Sequence, residues 1–412
     1  MDGDGFADLK ADLSEEDMAE FIPFHVPDTD EMEIRRVADV IRSGWMTTGP
    51  RTQEFERSFA AYVGARHAVA VNSGTAALHL ALACLGIPEG ADVLLPTMTF
   101  AATAEVVFYL RARPVLVDCA STGLNLDPED LVRKWTPSTR VVIPVHVGGD
   151  PCDLERILAV AAEREAAVIE DAAHALPAKL LVRRPGEMNC AWRSIGAIGD
   201  ITCFSFYATK TLTTGEGGML VTDSEEWAER ARRLSLHGLS RGAWRRYDNR
   251  NSWEYEIIEP GFKYNLTDIA SAIGLAQLEK CDRMWAARAA HATRYTQAFT
   301  EVPEISLPSR SPEAQHAWHL FVIALNLERL TITRAEFVHQ LKECGIGASV
   351  HFIPLHLHPY YKQTFGYSPS DFPHATAFAR RIVSLPLYSK MTEADVERVI
   401  EAVYSIISRN RR

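Results

Sequence analysis

The chain has 412 residues, enough for two or three domains with sizeable cores. Apolar residues make up 47% and charged residues 24%, which excludes a disordered chain, a collagen-like repeat and a coiled coil. Its 43 Lys and Arg against 54 Asp and Glu leave a net charge of −11, so neither nucleic acid nor an anionic membrane is an expected partner. The seven cysteines are scattered and form no C-x-x-C pair, which argues against a disulfide framework and for a reducing cytoplasm. The first twenty residues are acidic and lack the apolar stretch of a signal peptide. No run of about 18 apolar residues occurs, so no membrane span is expected.

Residues 1–46 read as a polar arm followed by a helix from Asp30 to Ile41, with Met32, Val37, Ala38 and Ile41 on one side. SGWMTTGP (43–50) then breaks the pattern with Gly44, Gly49 and Pro50. A large domain over 47–265 follows. Its short apolar runs are HAVAV (67–71), DVLLP (92–96), PVLVD (114–118), RVVIPV (140–145), AVIED (167–171), ITCFSF (201–206) and GMLVT (218–222). Several are β-branched and nearly continuous, the pattern of strands buried on both faces. Helical stretches such as 75–85 and 154–165 lie between them, which predicts an α/β fold with a mostly parallel seven-stranded sheet. Only eleven residues separate Phe206 from Gly218, too few for a usual parallel crossover, so the last strand is predicted to run antiparallel. A smaller C-terminal α/β domain over 266–412 opens with the helix LTDIASAIGLAQLEK. It continues through HLFVIAL (319–325), a helix at 333–344, ASVHFIP (348–354) and a final amphipathic helix at 393–407.

Four segments carry candidate chemistry. In NSGTAALHLAL (72–82) a strand gives way to a helix through small residues. Ser73 or Thr75 either caps that helix or, with Gly74, leaves its N-terminus open to a phosphate. In VIEDAAHA (168–175) Asp171 falls at the end of a buried strand, where open α/β sheets bind ligands. It either caps the next turn or pairs with a cation, such as the protonated ring nitrogen of a cofactor. His174 is either structural or part of the same site. Lys210 lies in a confined loop between FSFY (204–207) and GEGG (215–218), 39 positions after Asp171. Most lysines are solvated, but one held beside a buried electropositive cofactor can lose its proton and form a Schiff base. In PGFKYNLTDIASAIG (260–274) Asn265 is positioned to cap the following helix, with Asp268 three residues on.

Taken in order, NSGTAALHLAL, PTMTFAATAEVV (96–107), EDAAHA, FSFYATKTLTTGEGG and GFKYNLTDIASAIG resemble the DegT family of pyridoxal-phosphate-dependent sugar aminotransferases, which have the fold-type I architecture. The resemblance runs from about Ile34 to the C-terminus. It implies pyridoxal 5′-phosphate (PLP) as cofactor, with Lys210 and Asp171 catalytic. Lys210 matches the Schiff-base lysine, Asp171 the partner of the pyridine nitrogen, and Phe100 the aromatic that stacks on the ring. Gly74, Thr75 and Ser205 match phosphate contacts, and His174 joins the cofactor-binding set. Asn265 matches an asparagine that reaches the phosphate from the other subunit, which implies a homodimer. The implied reaction moves nitrogen from an amino acid, expected to be L-glutamate, to a nucleotide-linked keto sugar, expected to be a 4-keto sugar.

For the substrate, the family resemblance draws attention to Trp45, Thr47, Tyr207, Arg241, Arg245, Trp253 and His351. The arginines, with Arg246, would grip a diphosphate, and Trp253 would pack on sugar or base. The stretch 237–262 also reads as a solvated loop with aromatic anchors, and His351 as a structural strand residue. Tyr207 departs from the His of many relatives, and the stretch 179–194 is longer than the usual hairpin. Alternatives kept open are a cyclitol ketone or 3-keto sugar as acceptor, or a regulator without turnover. Lys210 argues against a dehydratase, whose relatives carry His there. GLSRG (238–242) lacks the buried strand that a hydrolase elbow requires. His351, His356 and His358 match no metal spacing, so no metal is expected.

Overall fold

The computed structural model describes residues 21–184, 186–240, 255–308 and 311–412. Its main sheet has seven strands: β1 (His67–Val71), β2 (Asp92–Pro96), β3 (Arg113–Val117), β4 (Thr139–Val142), β5 (Ala167–Asp171), β8 (Ile201–Ser205) and β9 (Gly218–Thr222). The hairpin β6 (Lys179–Val182) and β7 (Ala191–Ser194) stands apart. The order across the main sheet is β1-β9-β8-β5-β4-β2-β3. Strand β9 is antiparallel to both its neighbours and the remaining pairs are parallel, as the short 206–218 connection predicts.

Successive strand residues feed two separate cores. Ala68, Ala70, Phe204, Met219 and Val221 face one layer, and Val69, Val71, Cys203 and Leu220 face the other. That alternation within wholly apolar strands is why the runs read as continuous rather than period-two. On the first face, from the helix Pro50–Val63, Phe59 packs edge-on against Phe204 and Phe206, and Phe55 packs at a tilt against Phe206. Each such ring contributes roughly 2 kcal/mol by leaving water. On the second face the helix Gly74–Leu85 lies against the sheet.

The C-terminal region builds a three-stranded sheet in the order β10 (Ile305–Ser306), β12 (Phe321–Leu325), β13 (Ile382–Leu385). The helices Cys281–Phe299, Arg334–Glu343 and Glu393–Asn410 share its core through Tyr295, Phe337 and Val403. Ile22 joins that core and bonds to Gly345 and Gly347, so the start of the described chain is stitched to the C-terminal region. The short strand β11 (Ala314–Gln315) pairs with β6 and ties the C-terminal region to the large one.

Two expectations need correction. ASVHFIP is not a strand. Only Ser349 bridges to Ser384 before Pro354 removes a ladder donor and Phe352 turns into the interior, and β13 takes the third place in the sheet. Nor does Asn265 cap the next helix. Thr267 does, accepting from Ala270 N–H at 3.2 Å.

Asp268 caps a different helix. The helix Pro50–Val63 begins after Gly49, which has no side chain to offer. The Asp268 carboxylate accepts instead from the backbone N–H of Gly49 (2.7 Å), Thr52 (2.9 Å) and Arg51 (3.1 Å), and from Thr52 Oγ1 (2.7 Å). A cap delivered from more than two hundred residues away fixes the two helices together, and Gly274 lets them close, because a Cβ there would lie 2.6 Å from the Phe55 ring. Asp268→Ala strands three buried N–H donors and is expected to cost about 2–4 kcal/mol, read as a fall in melting temperature. A melting curve unchanged from wild type would show that the cap is dispensable.

Candidate active site

At the carboxyl edge of the main sheet three turns converge on a cavity of ≈ 460 Å³. Strand β1 feeds the first turn. Ser73 Oγ caps the helix Gly74–Leu85 by accepting from Ala76 N–H at 3.0 Å. The N–H groups of Gly74 and Thr75, ahead of it, have no intrahelical partner by helix geometry, and both residues line the cavity. This end of the helix abuts β8 and β9 closely. A Cβ on Gly74 would lie 2.8 Å from Ser205 Cβ, and one on Gly218 would lie 2.4 Å from Ser73 O. The glycines therefore set how near the helix N-terminus comes to Ser205.

Strand β5 ends on Asp171, which is 6% exposed. Its carboxylate accepts from Thr103 Oγ1 at 2.8 Å and from Ala173 N–H at 3.1 Å, and Thr99 Oγ1 backs Thr103 at 2.7 Å. Burial pushes this carboxyl above the ordinary range, while Thr103, Ala173 and the charge of Lys210 pull it back.

Lys210 comes from the loop between β8 and β9. Its threonines explain the unusual composition. Thr211 Oγ1 donates to Leu176 O (2.7 Å), Thr213 Oγ1 to Phe206 O (3.1 Å) and Thr214 Oγ1 to Glu216 O (2.6 Å). The loop is closed on itself by Phe206 N–H to Gly217 O at 2.8 Å. Desolvation lowers the Lys210 amine to about 8, against the attraction of Asp171.

Three imidazoles complete the wall. His174 accepts from Gly148 N–H at 3.2 Å, lies 4.4 Å from the ring of His319 and stacks on Phe352 at 5.6 Å. His351 stacks on Phe24 and shares a 2.9 Å hydrogen bond with Ser384 Oγ. Burial, reinforced by the positive charge of Lys210, holds His174 and His319 well below their ordinary range and His351 at about 4. The site thus keeps its imidazoles neutral around one amine.

Gly74, Thr75, Phe100, Asp171, His174, Ser205, Tyr207, Lys210 and His351 all line this one cavity. Phe100, at the side of the cavity, is 65% exposed, which leaves its ring accessible from the cavity. Trp45, Thr47 and Asn265 do not line it. Asn265 donates to Thr48 Oγ1 at 2.7 Å, and Trp45 Nε1 donates to Thr48 O at 3.1 Å, so the 45–50 turn and Asn265 form their own group. Arg241, Arg245, Arg246 and Trp253 lie outside the described residues. The sequence reading missed Phe24, Thr103, His319 and Phe352 as site residues. Thr103 and Phe352 sat inside segments noted for other reasons, and no local signal marked Phe24.

A family model described as the DegT/DnrJ/EryC1/StrS aminotransferase family matches residues 27–404. The chain is 47% identical over 388 residues to spore coat polysaccharide biosynthesis protein SpsC of Bacillus subtilis, covering 94% of this chain and 97% of that one. Among solved structures it is similar to Spr1654 of Streptococcus pneumoniae, described as a sugar aminotransferase and solved in PLP and PMP forms. For the PLP form the TM-score is 0.86 at 32% identity, over 94% of this chain and 99% of that one. It is likewise similar to S. venezuelae DesV, with a TM-score of 0.83 at 32% identity, over 94% and 100% of the two chains. The chain belongs to the DegT/DnrJ/EryC1/StrS family and is a PLP-dependent sugar aminotransferase.

Proposed function

We propose that this enzyme aminates a nucleotide-linked 4-keto sugar with L-glutamate as donor, in the cytoplasm, and that Lys210 and Asp171 carry the chemistry. The observation that supports the roles most is the meeting of these two residues, one from a strand end and one from the β8–β9 loop, in one cavity with an open helix N-terminus. The residues fit the cofactor. Gly74, Thr75 and Ser205 offer a phosphate the helix N-terminus and a hydroxyl. The exposed face of Phe100 suits a stacked aromatic ring. Asp171, too desolvated to stand as an unpaired anion, suits a protonated ring nitrogen.

PLP, when bound, supplies an electron sink for a carbanion next to nitrogen. Asp171 would hold the proton on the cofactor's ring nitrogen, which would keep that sink deep. Lys210 Nζ would anchor the cofactor and would move a proton as base and then acid. Its depressed basicity serves both tasks near neutral pH. The neutral imidazoles of His174, His319 and His351 add no cation to compete for the Asp171 carboxylate.

Asn265 does not line its own chain's cavity, as expected of a residue that acts in a second subunit's site, and this supports a homodimer with shared sites. The relative's name, spore coat polysaccharide biosynthesis, supports a glycan precursor as product. In the proposal Arg241, Arg245 and Arg246 take the diphosphate, Trp253 the sugar or base, and Tyr207 and His351 the sugar.

Protein mixed with PLP is expected to show the visible band of lysine-bound cofactor, which L-glutamate bleaches. Lys210→Ala is expected to lose both band and turnover with an unchanged circular dichroism spectrum, and full turnover in that variant would sink the assignment. Asp171→Ala should lower the rate on the order of 10²–10³-fold, and a near-normal rate refutes its role. Competitive acetylation of the cofactor-free protein, read by mass spectrometry, should show Lys210 becoming reactive as pH rises through about 8, because only the neutral amine attacks. A midpoint near that of surface lysines overturns the electrostatic account. Turnover of 4-keto against 3-keto nucleotide sugars and cyclitol ketones then decides the acceptor.

A further inference from the structure

Behind the active site, between the large domain and the C-terminal region, lies a second cavity of ≈ 330 Å³. The loop Val147–Asp150 and the residues around Leu320 separate the two. Gly148 and Leu320 line the second cavity, whereas His174 and His319 line the first. The wall is held by Leu320 N–H to Gly148 O at 3.0 Å and by Gly148 N–H to His174 Nδ1 at 3.2 Å. Nothing in the proposed reaction uses the rear cavity.

Its walls carry two opposite charges that do not satisfy each other. Asp150 forms no ion pair among the described residues, and its carboxylate receives only a long 3.5 Å hydrogen bond from Asn125 Nδ2. Desolvation pushes its carboxyl up to about 7. Asp150 also lines an adjoining cavity of ≈ 350 Å³ beside Trp285. Arg381 also lines the rear cavity and likewise forms no ion pair among the described residues. Its Nε is buried without a hydrogen-bond partner, and its guanidinium rests on the Phe378 ring, 5.2 Å from the centroid. A desolvated carboxylate and a half-buried guanidinium with an unpartnered Nε thus line one small cavity, and both buried polar groups lack a full partner. Both are satisfied if one molecule brings a carboxylate to Arg381, which binds such groups as a planar fork, and an ammonium to Asp150. Ser121, Thr122 and Asn125 supply further polar edges, and Leu307 and Phe378 supply apolar wall. A polar end, an apolar middle and a volume of this size suit a small organic ligand.

We propose that this cavity is a second small-molecule site that takes an amino-acid zwitterion, its carboxylate on Arg381 and its ammonium on Asp150. The site is separate from the active-site cavity and does not depend on the proposed substrate. A free amino acid would also enter the active site, so the probe must be unable to form a Schiff base. N,N-dimethylglycine and 4-(dimethylamino)butyrate are zwitterions with tertiary amines, and together they sample two spans between the charges.

Calorimetry on the PLP-loaded enzyme is expected to show saturable binding of one of these probes. Arg381→Met and Asp150→Asn should each weaken it about tenfold or more, as loss of a charge-assisted bond does. Lys210→Ala should leave it unchanged, which separates this site from the active-site cavity whatever the fate of the proposed reaction. Circular dichroism confirms the fold of each variant, and Arg381→Lys, which keeps the charge, should recover part of the affinity. Absence of saturable binding by both probes overturns the proposal. So does binding that survives both Arg381→Met and Asp150→Asn, or that disappears with Lys210→Ala. Equal affinity for acetate, with no effect of Asp150→Asn, would reduce the cavity to a simple anion site and reject the zwitterion.

Discussion

Asp171 and Lys210 are both desolvated against one cavity, and the large domain must hold each of them there from outside. Each group is expensive to bury alone. Burial raises the carboxyl and lowers the amine, and each pulls the other partly back. Such a pair holds only if both residues are fixed from outside. Asp171 is fixed because it ends a strand with β4 on one side and β8 on the other, and because Thr103 and Ala173 each donate to one of its oxygens. Lys210 is fixed because the reversed strand β9 returns its loop to the same edge, and because three threonine hydroxyls tie that loop to backbone carbonyls. The antiparallel strand is therefore what brings the amine within reach of the carboxylate.

The same edge is shaped by the absence of side chains. Gly74 and Gly218 allow a helix N-terminus, the end of β8 and the start of β9 to occupy almost the same space. A methyl group on either would push apart the donors that suit a phosphate. Gly274 does comparable work farther off, closing the helix Asp268–Glu279 onto Phe55 while Asp268 caps the helix beneath it. That contact also carries the 45–50 turn and Asn265 on one rigid support, since Asp268 holds Gly49 and Asn265 holds Thr48.

Much of this was legible because strand runs, turn glycines and loop threonines are local features. All seven strands of the main sheet lie where apolar runs stand in the sequence, and the one reversed strand follows from a connection too short to cross over. What the sequence hid was long-range. Asp268 looks like part of a local capping box and instead serves a helix more than two hundred residues earlier. ASVHFIP has the composition of a strand but spends its apolar residues on the active-site wall, where Phe352 stacks on His174. His319 reads as the first residue of a strand, and only the packing of one domain against the other places its ring beside His174. Local chemistry cannot report which distant segment will need a donor, an acceptor or a wall.

The wall between the two cavities shows how these levels join. Gly148 takes a positive φ of 67°, which lets the chain after β4 fold back so that its N–H meets His174 while its C=O meets Leu320. His146, just before it, is locked by Glu170 Oε2 at 3.0 Å and by Cys152 N–H at 3.0 Å. Glu170 is in turn held by Thr202 Oγ1 and Gly199 N–H, one residue from Asp171 on the same strand. The loop is thus anchored to β5 on the far side from the site and to the C-terminal region on the near side. His174 is thereby tied to the C-terminal region through Gly148 and His319, whereas Asp171 is tied to the sheet through β4 and β8.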